Sequence, residues 1–393
     1  MKKDRSHWKN STAYAIRNAF LLVAISTFGF IPPWIFLNNP SGLAALTGSD
    51  WSQAVGYGGW FLVASIVGRA ALTRLNPSSI SRHISLGAIS IIVGGLIIII
   101  LPKPLGPVLA ILITASINGS ILFGPFIASA FRAFPNSPSM AVAFATVGQL
   151  TAAATSNALF SIASKIGPNA PVATTFLIAG CLLLGLAKLL VPAQALPSFA
   201  REQNAGWLAG AAMSLCGFCV TSSGTVFIFF MPNLIDSGAK AGMVLAVFSA
   251  SALGGRVCFA ALQDYTRTPM HIVSSGSMLA SCAIAAVADG NQDFLLYTAI
   301  ILFGVGYGGI TPTYLSKQKE LFSGEAASRQ NLNFFILASC GILFGSTAKI
   351  AFAASSITFI PLYLSALNFV LILWISSVKA SVYESASAED FER

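Results

Sequence analysis

The stretch SIVGR (Ser65–Arg69) returns in the second half of the chain as SALGGR (Ser251–Arg256), with one additional glycine. Arg69 and Arg256 lie 187 residues apart in a chain of 393 residues, which is close to half its length. Each copy is followed by a basic turn that contains a proline, and then by a glycine-bearing apolar segment. This spacing predicts that the chain consists of two halves built on one helical plan.

The composition points to a membrane. Of all residues 55% are hydrophobic and only 9% are charged, whereas a soluble domain carries roughly 25% charged residues. A helix that spans a bilayer needs about 20 mostly apolar residues, and the chain contains twelve such segments. The predicted spans are Tyr14–Leu37, Trp51–Leu72, Ile84–Leu101, Pro107–Phe131, Met140–Ser161, Val172–Val191, Leu208–Met231, Ala241–Leu262, Ile272–Val287, Phe294–Tyr314, Asn333–Phe352 and Ile357–Val378.

The repeat and the spans together predict an all-α membrane protein with twelve transmembrane helices in two pseudo-symmetric six-helix bundles. Residues 1–196 form the first bundle, and residues 197–393 form the second with a short cytoplasmic tail. The polar segment PAQALPSFAREQN, residues 192–204, joins them, and we expect a cavity between the bundles. The tail after Val378 is acidic, which predicts disorder.

The basic residues predict the orientation. Of the 22 Lys and Arg residues, 18 fall at one set of span ends, so both termini are predicted to be cytoplasmic. The net charge of +9 then reflects membrane topology, and no nucleic acid partner is expected. The first apolar run is predicted to be a retained helix. The predicted location is the cytoplasmic or bacterial inner membrane, with multiple passes.

The six cysteines all fall in apolar segments. Cys216 and Cys219 form a CxxC, which is a spacing found in redox and metal sites. Cysteine also packs as a small hydrophobic residue, and no histidine or second CxxC lies nearby in sequence. We therefore favour the packing role and expect no disulfide, no metal and no cofactor.

Three stretches resemble the major facilitator superfamily: GRVCFAALQDYTR (255–267), RAFPNSPSMAVAFATVGQ (132–149) and GVGYGGITPTYLSKQKELFSG (304–324). The last two are similar to its oxalate/formate antiporter and monocarboxylate porter branch. The resemblance implies a secondary transporter that works by alternating access, and a gating or structural motif at Gly255, Asp264, Arg267 and Arg132. The first half departs from the pattern, since Pro77 stands where the second half has Asp264 and Gln149 stands where a small residue is expected.

The charges predicted to enter the membrane are positive. No Asp or Glu lies deep in any predicted span, which argues against a cation pump coupled through a buried carboxylate. Arg256 is a candidate anion site because guanidinium binds carboxylate through two hydrogen bonds. It could instead pair with Asp264 or with helix-end carbonyls. Arg69 is its pseudo-symmetric partner. The resemblance also implies a substrate role for Lys349, which could instead extend to the outer interface.

Polar residues in the spans complete the predicted substrate site: Tyr307, Gln149, Asn118 and Thr311. Most polar residues in spans make helix–helix hydrogen bonds. The run from Gly306 to Pro312 is predicted to weaken the tenth helix, and interrupted helices tend to line sites or gates. Pro32 and Pro33 are similarly predicted to break the first helix near its outer end.

Three functions remain open from the sequence. The first is a transporter of a small organic anion such as a carboxylate, with antiport as the expected mode. The second is an exporter of drugs, sugars or siderophores with a mostly neutral cavity. The third is a non-transporting paralogue or a membrane-embedded enzyme, although no paired acids or histidine cluster favour catalysis. We expect a monomer whose partners are a small-molecule substrate and the lipid bilayer.

Overall fold

A computed structural model describes residues 3–37, 40–72, 80–119, 125–189, 201–234, 238–288, 293–351, 359–379 and 381–384. Its contacts divide the chain into two compact units, Met1–Pro192 and Ala193–Arg393. The predicted boundary between residues 196 and 197 falls outside the described residues and stays a prediction.

The first unit is helical throughout its described residues. Its helices are α1 (Lys3–Gly29), α2 (Ile31–Leu37), α3 (Pro40–Thr47), α4 (Trp51–Leu72), α5 (Ile80–Ile100), α6 (Leu105–Thr114), α7 (Pro125–Ala133), α8 (Pro138–Ile166) and α9 (Asn169–Leu189). A π-helical turn, Ala115–Gly119, continues α6.

The second unit has six long helices and two short strands. They are β1 (Arg201–Asn204), α10 (Trp207–Leu234), α11 (Gly238–Thr266), α12 (Met270–Val287), α13 (Asp293–Leu321), α14 (Gly324–Ala351), α15 (Phe359–Ser377) and β2 (Ser381–Glu384).

Over its described residues, each of the twelve predicted spans coincides with a helix or with consecutive helical segments. In the described part of the chain, nine helices are long and apolar enough to cross a membrane, and Gly56–Gly68 and Leu105–Asn118 are shorter apolar helices. The fifth predicted span lies on α8. The chain is therefore a multi-pass, helical membrane protein.

The two units use the same helix pairings. In the first unit α1 packs on α8, α4 packs on the π-helical turn, and α5 packs on α9. In the second unit α10 packs on α14, α11 on α13, and α12 on α15. These are the contacts of spans 1 with 5, 2 with 4 and 3 with 6, repeated for spans 7–12. The repeat predicted from the sequence is thus present in the packing.

Glycines mark the closest helix contacts of this repeat. A Cβ built on Gly68 of α4 would lie 2.6 Å from the carbonyl carbon of Ser116. A Cβ built on Gly255 of α11 would lie 2.7 Å from Cα of Val305 in α13. Both glycines directly precede the repeated arginines. Small residues allow such close approach of transmembrane helices, so the repeated glycine sets the same contact in both units.

Two elements of the first unit interrupt its spans. The first span divides between α1 and α2 at Phe30, two residues before the Pro32–Pro33 pair that predicted a break. The fourth span contains the π-helical turn. By contrast, α13 runs unbroken through Pro312, so the Gly306–Pro312 run, which was predicted to weaken the tenth helix, does not interrupt it. Its glycines instead pack closely: Gly308 lies against the backbone of Ala252 and Gly306 against that of Ser274.

Residues 381–384 of the tail form a strand where disorder was predicted. Strand β2 pairs antiparallel with β1, with Arg201 opposite Glu384 and Asn204 opposite Ser381. Asn204 also bridges to Phe322, and the N–H of Ala205 donates to the carbonyl of Leu321 at 3.1 Å. Backbone pairing satisfies polar groups whatever the side chains are, and the composition of the tail therefore did not reveal it.

Candidate functional site

The centre of the candidate site is Arg256. It lies on α11, eight residues before Asp264, and its side chain is 2% exposed. Its Nε donates to the backbone carbonyl of Gly308 in α13 at 3.3 Å. A positive charge is thus held between two helices of the second unit.

An aromatic cluster, which we define as Phe227, Phe248, Phe303 and Tyr307, lies on these two helices and on α10. The rings of Phe227 and Phe303 stack with centroids 3.9 Å apart. Tyr307 lies 5.7 Å from Phe248 and 6.1 Å from Phe303 between ring centroids. Gly224 of α10 directly faces the Tyr307 ring. The cluster therefore joins α10, α11 and α13.

Tyr307 connects this cluster with the charge. It directly precedes Gly308, the acceptor of Arg256, and the two side chains are close enough to interact electrostatically. Thr311 follows one helical turn later and is half-buried. The structure thus brings together Arg256 and Tyr307, two of the predicted substrate-binding residues.

Two of the predicted polar contacts, Asn118 and Gln149, lie in the first unit. Asn118 is 1% exposed in the π-helical turn, and its Nδ2 donates to the carbonyl of Gly29 at 2.7 Å. Gln149 is half-buried on α8, next to Gly148, whose N–H donates to Oγ of Ser26 at 3.1 Å. The amide of Asn118 is thus engaged with the backbone of the first span.

The side chains of Arg69 and Lys349 lie outside the described part of the structure, although their backbones belong to α4 and α14. Their predicted substrate roles stay predictions.

The predicted gating motif occupies the end of α11. Gly255 makes the close contact with α13 described above, and Asp264 is half-exposed and close enough to Lys319 of α13 for a charge–charge interaction. Arg267 is exposed with a φ of 57°, immediately after the helix ends. Between these residues, Nε2 of Gln263 donates to the carbonyl of Thr313 at 3.1 Å. Arg132 is exposed on α7 in the first unit.

No sequence pattern distinguishes Phe227, Phe248 and Phe303 from other phenylalanines, because phenylalanine occurs 29 times in the chain. Gly308 could have been selected from the sequence, because it forms a Gly-x-x-x-Pro pattern with Pro312. The described residues contain no group of three or more His, Cys, Asp or Glu that could hold a metal ion. All six cysteines are free thiols, and Cys216 and Cys219 are buried in α10.

No family model and no curated protein matches the chain. Solved structures match the chain over most of its length. A bacterial homologue of the iron transporter ferroportin, in an outward-facing state with soaked iron, is 13% identical, with 92% of this chain and 99% of that chain covered and a TM-score of 0.71.

Two sugar symporters have the same architecture. The fucose:proton symporter FucP of E. coli is 16% identical, with 93% and 100% coverage and a TM-score of 0.65. The proton:xylose symporter XylE, described as a major facilitator superfamily protein, is 11% identical, with 93% and 96% coverage and a TM-score of 0.73. These similarities confirm the predicted fold class of twelve transmembrane helices in two pseudo-symmetric six-helix bundles. The chain therefore has the fold of the major facilitator superfamily.

Proposed function

We propose that this protein is a secondary transporter of the major facilitator superfamily, which moves a small solute by alternating access. The fold, the paired helix contacts of the two units and the similarity to three transporters support this proposal. Membership is also favoured by the resemblance of residues 255–267 to the superfamily's loop motif. In this proposal Gly255, Asp264, Arg267 and Arg132 serve the gate, and the protein works as a monomer in the cytoplasmic or bacterial inner membrane with both termini in the cytoplasm.

The proposed substrate is a small organic anion, such as a carboxylate, moved by exchange. The buried guanidinium of Arg256 carries this proposal. A central Arg or Lys costs about 2.5–3.5 kcal/mol on insertion scales, and such residues usually mark functional sites. A guanidinium binds a carboxylate through two parallel hydrogen bonds. Lys349 on α14 is the second proposed cation, and Tyr307, Thr311, Gln149, Asn118 and Arg69 are the proposed polar contacts.

A neutral solute is the second candidate. The aromatic cluster around Tyr307 favours it, since aromatic faces commonly line sites for small molecules. FucP and XylE are described as symporters of the sugars fucose and xylose. In this case Arg256 would serve to hold α11 against α13.

The test is uptake by purified protein in liposomes, with radiolabelled oxalate, lactate and xylose as probes. A thermal-shift screen of mono- and dicarboxylates, sugars and drugs extends the panel, because a bound ligand stabilises the folded state. The variants are Arg256→Gln and Lys349→Gln. Lys379→Gln is the matched control, since Lys379 is an exposed cation just after α15.

The anion proposal expects both site variants to lose oxalate or lactate uptake while Lys379→Gln keeps it. Full anion uptake by both site variants would refute it. Xylose uptake that neither variant changes would favour the neutral solute. A wild-type protein that binds a panel solute and moves none of the panel would refute transport itself.

A further inference from the structure

The first span contains a backbone defect with a known cause. Proline has no backbone N–H, so a proline in a helix leaves the carbonyl four residues earlier without its usual donor. For Pro33 that carbonyl belongs to Gly29. The hydrogen bonds on either side follow the helical pattern, from Phe30 N–H to Ser26 at 3.0 Å and from Trp34 N–H to Phe30 at 3.2 Å. Pro32 likewise frees the carbonyl of Phe28, so two adjacent bonds are missing from the ladder, and the second of them is the gap at Gly29.

The side chain of Asn118 fills this gap. Its Nδ2 donates to the Gly29 carbonyl at 2.7 Å from the neighbouring fourth span. A buried carbonyl in a membrane has no water as a hydrogen-bond donor, and side chains of neighbouring helices commonly donate to the carbonyls that proline frees. The π-helical turn Ala115–Gly119 carries the amide, and such turns are frequent at functional positions.

The second unit repeats the arrangement. Pro312 lies inside α13, and the carbonyl it leaves without a helical donor is that of Gly308. This is the carbonyl to which Nε of Arg256 donates at 3.3 Å. Both cases have the pattern Gly-x-x-x-Pro, GFIPP at residues 29–33 and GGITP at residues 308–312. In both, the donor is a buried polar side chain from an adjacent span.

We infer that Asn118 and Arg256 are positioning residues that replace the backbone hydrogen bonds missing at Pro33 and Pro312, and that they thereby fix where the first and tenth spans can bend. We call each set of donor side chain, glycine carbonyl and proline a clamp.

The two clamps differ in whether the helix that contains the proline stays continuous. Two adjacent prolines remove two donors from the first span, and the helix divides at Phe30. A single proline in the tenth span leaves α13 continuous over 29 residues. The Asn118 amide holds the carbonyl of Gly29, the last residue of α1, directly before this division.

The test of the first clamp is rescue by a backbone donor. Asn118→Ala should speed hydrogen–deuterium exchange in residues 31–37 about tenfold or more, because a buried carbonyl loses its donor. Adding Pro33→Ala returns an N–H to the Gly29 carbonyl and should restore exchange to the level of Pro33→Ala alone. Pro32→Ala is the matched control, since its N–H would face the carbonyl of Phe28 and should rescue nothing.

If Asn118→Ala is not recovered as folded protein, recovery of the variants is compared instead. The clamp is supported if the double variant Asn118→Ala/Pro33→Ala is recovered as folded protein and the double variant Asn118→Ala/Pro32→Ala is not. Equal behaviour of the two double variants, in exchange or in recovery, refutes it. This test needs no substrate and stands whether or not the protein transports solutes.

The second clamp rests in part on the proposed function, because Arg256 is also the proposed anion site. Arg256→Gln should lower the apparent Tm, and adding Pro312→Ala should restore it. Pro361→Ala is the control and should not restore it, since Pro361 lies in the first turn of α15, where a backbone N–H has no helical acceptor.

Uptake of oxalate and lactate separates the two roles of Arg256. A double variant Arg256→Gln/Pro312→Ala with restored Tm and absent uptake supports both the clamp and the anion site. Restored uptake supports the clamp and refutes the anion site. A Tm that stays low with Pro312→Ala refutes the clamp at this position.

Discussion

The contact between Gly255 and Val305 can be tested with an unusually close control. Gly254 and Gly255 are adjacent in α11, yet a Cβ on Gly254 would meet nothing within 4 Å, while one on Gly255 would lie 2.7 Å from Cα and 2.8 Å from the carbonyl carbon of Val305. Carbon atoms pack best at about 3.5–4.0 Å. Alanine at position 255 would thus push α11 and α13 apart by about 0.8 Å or more.

The magnitude follows from two opposing effects. Alanine in place of glycine stabilises a helix by about 0.5–1 kcal/mol, and this gain is the same at both positions. Forcing a methyl group into a tight contact costs typically about 1–3 kcal/mol. The difference in unfolding free energy between Gly254→Ala and Gly255→Ala is therefore the contact term alone, since the helix preference cancels.

The measurement is the apparent Tm of the two variants, purified in the same detergent and followed by intrinsic fluorescence. At roughly 2 °C per kcal/mol for a unit of about 200 residues, Gly255→Ala should unfold about 2–6 °C below Gly254→Ala. Gly254→Ala itself should unfold at or slightly above the wild-type temperature. A Tm for Gly255→Ala equal to or above that of Gly254→Ala would show that α11 and α13 do not meet at this glycine.

Two further predictions concern the second unit. Deleting residues 380–393 removes β2 and should speed tryptic cleavage after Arg201 in β1, whereas deleting only residues 385–393 should not; equal cleavage of both truncations would argue against the ladder. Asn368→Ala removes a buried amide whose Nδ2 donates to Oγ of Ser275 at 2.7 Å, and should destabilise the unit by about 1–3 kcal/mol. Ser277 of α12, whose Oγ donates to the carbonyl of Val273 in its own helix, serves as the control when changed to alanine, and an equal Tm for the two variants would contradict the predicted loss.

The spans could be predicted because they depend on local composition. A segment of about 20 apolar residues is driven into a bilayer by its own hydrophobicity, so Trp51–Leu72 is both the predicted span and helix α4. The helix break near Pro32 was also predictable, since proline removes a donor from its own backbone. The repeat around Arg69 and Arg256 followed from the sequence for the same reason, because each half carries its own copy.

The candidate site depended on contacts between distant residues. The sequence suggested Asn118 and Arg256 as substrate contacts, and only the packing of neighbouring spans shows that their donors face the carbonyls of Gly29 and Gly308. The pairing of β2 with β1 likewise joins residues far apart in the chain through backbone atoms, which leave no trace in composition.

The sequence by itself thus determined the number of spans, their places in the chain and the two-fold repeat, since hydrophobicity and proline act within one segment. The tertiary structure decided which polar side chains donate hydrogen bonds to backbone carbonyls, because a buried donor bonds to the acceptor that packing places within hydrogen-bond distance. It also decided that the glycine run of the tenth span is a packing surface on a continuous helix, since a neighbouring helix can satisfy the carbonyl that a proline frees.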